Sequence, residues 1–184
     1  MLYLISYKLI MNDKAENLLK EMPERRVMFI HGLESKVPSE KTKWLDKTFT
    51  IMAPQIDYRK ENIFNEVLQM AKEYNPALII GSSMGGYFGY YIAAELNVPA
   101  ILFNPALPYR TNIKPKVRNF NIHPKSVYFI LGKNDNVIKA KDKIDWISEN
   151  KHNIDQVIIR LLDFEHGVPI GIFTKEIDNY YNQE

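Results

Sequence analysis

The feature that most constrains the fold is a regular alternation of short apolar runs with amphipathic stretches. Apolar runs rich in β-branched or aromatic residues occupy 2–10, 26–30, 49–54, 77–80, 100–103, 126–131 and 156–162. Stretches with helical spacing lie between most of them, at 16–22, 40–49, 61–74, 139–151 and 170–181. Because this alternation is typical of βαβ units, it predicts an α/β fold, with a mostly parallel sheet of about six to seven strands and helices on both faces.

The spacing of apolar residues assigns a buried face to three of the helical stretches. These residues are Ile63, Val67, Met70 and Ala71 in the first, Ile144 and Ile147 in the second, and Phe173, Ile177 and Tyr181 in the third. Residues three or four positions apart share one side of a helix. No linker divides the 184 residues, so we expect one domain over 1–184.

Composition removes several functional classes. Cysteine is absent, which excludes a disulfide scaffold and a cysteine nucleophile. A net charge of +2 gives no reason to expect a nucleic-acid partner. The apolar start "MLYLISYKLIM" has no basic segment before it and is too short to cross a bilayer. We therefore expect a cytoplasmic protein without a membrane partner.

The segment "GSSMG" at 81–85 matches G-x-S-x-G between a predicted strand and a predicted helix. A sharp strand-to-helix turn exposes the central serine, here Ser83, and a side chain at either flanking glycine would collide with backbone. The helix start favours a developing negative charge. No lysine follows as a P-loop requires, and G-x-G-x-x-G is absent. A packing turn with an incidental serine is the remaining alternative.

A serine nucleophile needs a base and a group that orients the base. In this architecture the order along the chain is serine, acid, histidine. Of the four histidines, His166 follows the last predicted strand and is the best candidate for the base. Asp135 follows the preceding strand in "GKNDNVI" and is the favoured acid, with Asp163 and Asp142 as rivals.

An acyl-transfer site also needs two N–H donors for the tetrahedral oxyanion. One is expected from Met84, the residue after the serine. The other is expected from Leu33, in the loop after the strand that ends in His31 and Gly32. We interpret His31 as a structural residue that shapes this loop.

The segments "HGL", "GSSMGG", "GKNDNVI" and "EHG" stand in one order along the chain. Together they resemble the α/β-hydrolase superfamily, and the short length and "LFNPA" resemble its small YqiA-like bacterial esterases without a full cap domain. The resemblance spans about 26–181. It implies ester or thioester hydrolysis without cofactor or metal. The residues it implies are Ser83 as nucleophile, His166 as base, Asp135 as orienting acid, and the amides of Leu33 and Met84 as the oxyanion hole.

Two segments depart from that pattern. Residues 1–25 predict an added strand and helix, which either extend the sheet or form a homodimer contact. The excursion 104–124 is too short for a cap, but Tyr109 and Phe120 could wall an open pocket suited to small acyl groups. The basic stretch 110–118 favours an acyl-CoA thioesterase as one alternative. A non-catalytic binding module is the alternative from another class.

Overall fold

The computed structural model describes residues 25–108 and 122–182. The strands are β1 (Arg26–Ile30), β2 (Thr50–Met52), β3 (Leu78–Ser82), β4 (Ala100–Phe103), β5 (Ser126–Gly132) and β6 (Gln156–Leu162). The helices are α1 (Glu40–Thr48), α2 (Ile63–Tyr74), α3 (Met84–Leu96), α4 (Ala140–Asn150) and α5 (Ile170–Tyr181). A short 3₁₀ turn, Lys151–Asn153, follows α4.

These strands form one sheet in the order β2-β1-β3-β4-β5-β6, and all neighbouring strands are parallel. The chain moves outward from β1 to β2 and then returns to place β3 on the other side of β1. Ligands of open parallel sheets bind in the crevice where the order reverses, beyond the carboxyl ends of the strands. The predicted α/β fold is confirmed, and by this rule a ligand is expected beyond the ends of β1 and β3.

Two apolar cores cover the two faces of the sheet. On one face, α2, α3 and α4 pack against the strands through side chains such as Phe64, Phe88 and Ile147. On the other, α1 and α5 pack through side chains such as Leu45, Phe173 and Ile177. Burying a large apolar side chain contributes roughly 1.5–3 kcal/mol, so each face is a substantial source of stability. Within the described ranges, no segment forms a cap over the carboxyl edge.

The strand before the serine is longer than predicted. The apolar pattern predicts a strand over 77–80, whereas β3 runs to Ser82. Gly81 and Ser82 pair with Leu102 and Phe103 of β4, so the neighbouring strand extends the ladder beyond the apolar residues. The turn therefore begins directly at Ser83.

The predicted buried face of α2 is wrong at one position. Ile63, Val67 and Ala71 are buried, but Met70 is 40% exposed. Phe64 and Leu68 also face the core, which moves the centre of the buried stripe roughly 90° away from Met70 at about 100° per residue. The predicted faces of α4 and α5 agree with the burial of Ile147, Phe173 and Ile177.

Several predictions fall on residues 1–24 and 109–121, which lie outside the described ranges. They include the strand 2–10, the helix 16–22, the pocket residues Tyr109 and Phe120, and the basic stretch 110–118. Among the described helices, none has the length and apolar character needed to cross a membrane.

The start of α1 carries a reciprocal cap that makes a stability prediction. Ser39 Oγ accepts from the Thr42 amide at 3.2 Å, and Thr42 Oγ1 accepts from the Ser39 amide at 2.8 Å. Ser39→Ala should lower the free energy of unfolding by about 1 kcal/mol, because an amide at the helix start loses its acceptor. Chemical denaturation measures the change. Ser39→Asp keeps an acceptor and should restore most of the loss; equal losses in both variants would contradict the assignment.

Candidate active site

The turn after β3 holds Ser83 in an unusual backbone conformation. Its φ of 55° and ψ of −118° are rare for a residue with a side chain, and such conformations cost of order 1–3 kcal/mol. Hydrogen bonds fix the turn: the Ser83 amide donates to Phe103 O at 2.9 Å, and Ser83 O accepts from the Tyr87 and Ala106 amides at 3.1 and 3.0 Å. The surrounding backbone therefore maintains the strained serine at the start of α3.

The glycines on either side of the turn allow a very close backbone approach. A Cβ at Gly81 would lie 2.4 Å from Gly85 O. A Cβ at Gly85 would lie 2.0 Å from Ile30 O and 2.3 Å from His31 O. Side chains at these positions would collide with backbone, as the G-x-S-x-G pattern predicts. The glycines seat the start of α3 directly against the end of β1.

Ser83, His166 and Asp135 form one continuous hydrogen-bonded line. The Ser83 Oγ lies 2.9 Å from His166 Nε2. His166 Nδ1 lies 3.0 and 3.1 Å from the two carboxylate oxygens of Asp135. The three residues follow β3, β6 and β5, so the parallel sheet brings their loops to one edge. With Nδ1–H donating to the carboxylate, Nε2 is left to accept the serine proton.

The Asp135 carboxylate is buried and held from several directions. Its Oδ1 accepts from the amides of Val137 and Ile138, each at 2.9 Å, and its Oδ2 lies 2.7 Å from Lys143 Nζ. Burial raises the pKa of Asp135, but hydrogen bonds from Lys143, Ile138 and His166 outweigh it, so the net pKa is lowered. Its stabilising contribution is therefore present above the ordinary carboxyl pKa and lost as the pH falls through the lowered folded-state value.

The rival acids are placed differently. Asp163 is exposed and accepts from Asn134 Nδ2 at 2.6 Å. Asp142 lies in the first turn of α4. His166 Nδ1 instead faces Asp135, so the geometry brings together the pair that chain order favours.

His31 is hydrogen-bonded through both of its ring nitrogens. Its Nε2 accepts from the Ile56 amide at 2.9 Å, and its Nδ1 donates to Gly32 O at 2.6 Å. The hydroxyl of Tyr58 donates to His31 O. These contacts tie the loop after β1 to the segment after β2, which agrees with a structural role for this histidine.

The other two histidines lie outside the site. His123 Nδ1 is 2.6 Å from Tyr90 Oη, and burial, with His152 nearby, lowers the pKa of His123. His152 itself is exposed in the 3₁₀ turn.

A cavity of about 490 Å³ opens beside Ser83 and His166. Leu33 and Met84 both line it, as the two predicted oxyanion donors must. Met84 is the first residue of α3, so its amide has no acceptor within the helix. The apolar part of the lining includes Ala106, Val137, Ile138 and Val168.

Three polar residues near the site were not identified from the sequence. Lys143 and Asn104 are buried behind Asp135, and Lys41 lines the cavity. Burial lowers the pKa of Lys41, with Glu40 partly offsetting the effect. The signal for Lys143 was available, since it lies four residues before the buried Ile147 and so occupies the core face of α4. The signal for Asn104 was its position directly after β4, at the same edge as Ser83.

The acidic and histidine side chains near the site are not arranged as a metal centre within the described ranges. Across residues 25–108 and 122–182, no three histidine, aspartate or glutamate side chains converge as metal ligands would. Asp135, the buried carboxylate of the site, is already engaged by two amides, an imidazole and an ammonium.

Sequence comparison places the chain in a family. The profile of the uncharacterised protein family UPF0227 matches residues 26–160, which is most of the chain. The chain belongs to UPF0227. The matched part of this family member includes Ser83, Asp135 and the loop after β1, and it ends before His166. No curated protein matches the sequence.

Solved structures share the fold at low sequence identity. A protein of the alpha/beta hydrolase superfamily from Xanthomonas campestris pv. campestris is 17% identical, with a TM-score of 0.64 over 83% of this chain and 93% of that chain. Esterase Pf2001 from Pyrococcus furiosus is 15% identical, with a TM-score of 0.64 over 87% and 81%. Fluorophosphonate-binding serine hydrolase F from Staphylococcus aureus is 14% identical, with a TM-score of 0.61 over 88% and 83%. These structures confirm the predicted α/β-hydrolase fold. Together with the UPF0227 match, they confirm the predicted resemblance to its YqiA-like members.

Proposed function

We propose that this UPF0227 member is a serine hydrolase that cleaves small carboxylic esters through an acyl-enzyme on Ser83. The observation that carries the proposal is the line from Ser83 Oγ to His166 Nε2 at 2.9 Å and from His166 Nδ1 to Asp135 at 3.0 Å. A serine hydroxyl is a weak nucleophile unless a base removes its proton and a third group orients the base. In this line, His166 is the base and Asp135 is the group that orients it.

In the first half of the reaction, His166 Nε2 takes the Ser83 proton as Oγ bonds to the acyl carbon. The carbonyl electron pair moves to oxygen, and the amides of Leu33 and Met84 donate to that oxyanion. Losing one such donor typically costs about 3 kcal/mol of transition-state stabilisation. The intermediate collapses, the bond to the leaving group breaks, and His166 returns the proton to the departing alcohol.

In the second half, water replaces the alcohol. His166 removes a proton from water as the oxygen attacks the acyl carbon of the Ser83 ester. Collapse of the second intermediate releases the carboxylic acid and restores the serine hydroxyl. Asp135 keeps the imidazole in one tautomer and orientation throughout, and its carboxylate stabilises the ring while the ring is protonated.

The cavity supports a small acyl substrate. A volume of about 490 Å³ is within the usual range of small-molecule sites, and the wall beside Ser83 is largely apolar. Thioesters remain the alternative substrate class, because the same steps apply with a thiol leaving group. Turnover of a short nitrophenyl ester and of a CoA thioester with the same acyl group distinguishes the two.

The experiment that tests the proposal is fluorophosphonate labelling with peptide mapping. The wild type should form one adduct on Ser83, because an activated serine attacks the phosphorus and displaces fluoride. Ser83→Ala and His166→Ala should lose the adduct while remaining folded by circular dichroism. The staphylococcal neighbour is named for binding this reagent, which supports its choice.

Ser82→Ala is the matched control, since it removes the adjacent hydroxyl, at the end of β3, and should leave the Ser83 adduct in place. A well-folded wild type that forms no adduct would overturn the hydrolase proposal. The non-catalytic binding module would then be the preferred interpretation.

A further inference from the structure

The ammonium of Lys143 is buried directly behind the acid of the site. Lys143 is 1% exposed, and its Nζ lies 2.7 Å from Asp135 Oδ2 and 2.6 Å from Asn104 Oδ1. A buried cation is costly unless it is paired and hydrogen-bonded. The fold places this cation on the carboxylate that also contacts His166.

Asn104 links the ammonium to the loop that carries the imidazole. Its Oδ1 accepts from Lys143 Nζ and from the Gly132 amide at 2.8 Å. Its Nδ2 donates to Glu165 O at 2.9 Å and to His166 O at 3.1 Å. The network therefore joins α4, the ends of β4 and β5, and the loop after β6 around one carboxylate.

The charged groups that face the Asp135 carboxylate are few among the described residues. They are Lys143 from α4 and the imidazole of His166 from the loop after β6. Asn104, from the end of β4, is neutral, and β5 contributes the loop of Asp135 itself. Asp163 and Glu165, beside His166 in sequence, are both exposed.

We infer that Lys143 is a positioning residue that offsets the charge of the Asp135 carboxylate. It thereby keeps the His166 imidazole neutral into mildly acidic solution, so that the ring can still accept the Ser83 proton. A lone buried carboxylate favours a protonated imidazole beside it. An ammonium on the other side of the carboxylate offsets that charge. The catalytic part of this inference rests on the proposed function; the electrostatic part does not.

The directions in which the pKa values of Lys143 and Asp135 are shifted agree with this geometry. Burial lowers the pKa of Lys143, and the hydrogen bond and charge of Asp135 partly offset the effect. The same contact is the largest of the interactions that lower the pKa of Asp135, and these interactions outweigh the effect of burial. The carboxylate and the ammonium thus support each other's ionised forms.

The kinetic experiment compares Lys143→Met with wild type in the full chain. The acid limb of the kcat/KM–pH profile for a short nitrophenyl ester should move to higher pH by about one unit, because an uncompensated carboxylate favours the protonated ring. Lys141→Met is the matched control: it lies on the same helix, exposed and paired with Asp145, and should leave the profile unchanged. Lys143→Arg, which keeps a cation, should retain the wild-type limb.

A second measurement does not depend on catalysis. In Ser83→Ala, the ring signal of His166 is followed by NMR against pH, with His166→Asn used to assign it among the four histidines. Adding Lys143→Met should move the pH at which this signal changes upward by about one unit. Lys143→Gln is also uncharged but retains hydrogen-bonding atoms, so it gives the answer if the methionine variant does not fold.

The outcomes separate the two proposals. A wild type without esterase activity whose ring signal still moves in Lys143→Met would overturn the proposed function and support the electrostatic role. Normal wild-type turnover, with both the acid limb and the ring signal unmoved in a folded, uncharged Lys143 variant, would overturn the inference. A uniform loss of rate at every pH with an unmoved ring signal would show that Lys143 is merely structural, and would also overturn it.

Discussion

Asp135→Asn is expected to lower kcat for a nitrophenyl ester by about 10⁴-fold with little change in KM. Asparagine can offer its carbonyl to the amides of Val137 and Ile138, where Asp135 Oδ1 now lies. Its NH₂ group then faces the Nδ1 of His166. The ring must present a lone pair there and carry its hydrogen on Nε2, the tautomer that cannot accept the Ser83 proton.

The same substitution also lowers the stability of the fold. It leaves the ammonium of Lys143 buried without its carboxylate, which costs roughly 3–5 kcal/mol when a buried pair is broken. Adding Lys143→Met should recover much of the lost stability without recovering activity. Thermal unfolding and steady-state kinetics on the single and double variants therefore separate the two roles of Asp135.

Asp163→Asn is the matched control for the choice of acid. Asp163 is exposed and bonded to Asn134, so its loss should change kcat less than about twofold. If Asp163→Asn were the damaging variant and Asp135→Asn nearly neutral, the acid would be Asp163. The hydrogen-bonded line of the site would then require revision.

Gly85→Ala is expected to destabilise the protein by more than about 4 kcal/mol, a large share of the roughly 5–15 kcal/mol that stabilises an ordinary domain. The new Cβ would lie 2.0 Å from Ile30 O and 2.3 Å from His31 O. Both atoms are backbone, so no side-chain rotation relieves the overlap. The start of α3 would have to move away from β1, taking Ser83 with it.

Gly171→Ala is the matched control for this change. Gly171 lies in the first turn of α5, and a Cβ there meets nothing within 4 Å. This variant should gain about 0.5–1 kcal/mol, because alanine is the better helix former. Thermal and urea unfolding of both variants measure the difference. A Gly85→Ala protein that melts within a few degrees of wild type would contradict the close approach.

The order of strands and helices between 26 and 181 could be predicted because the evidence for it is local. An apolar run such as 126–131 indicates a strand that is covered on both sides, and it matches β5 to within one residue. The ends of strands and the buried faces of helices that depend on a neighbouring element could not be predicted in this way. Gly81 and Ser82 extend β3 only because β4 pairs with them, and Met70 turns outward because Phe64 and Leu68 direct α2 toward the core.

The line of Ser83, His166 and Asp135 could also be anticipated, since each follows a strand and parallel strands end at one edge. The burial of Lys143 and the place of Asn104 each left a local signal, but the contact between the two could not be anticipated. Lys143 Nζ reaches Asn104 Oδ1 only because α4 packs over the ends of β4 and β5. The spacing of residues 104 and 143 in the sequence does not predict that contact.

The sequence by itself therefore determined the α/β class, the strained serine turn and the loops that carry His166 and Asp135, because periodicity and turn chemistry act over a few residues. Only the tertiary structure decided which aspartate faces His166 and what lies behind it. Hydrogen bonds and ion pairs depend on distances of about 3 Å. Residues far apart in the chain reach such distances only through the packing of whole strands and helices.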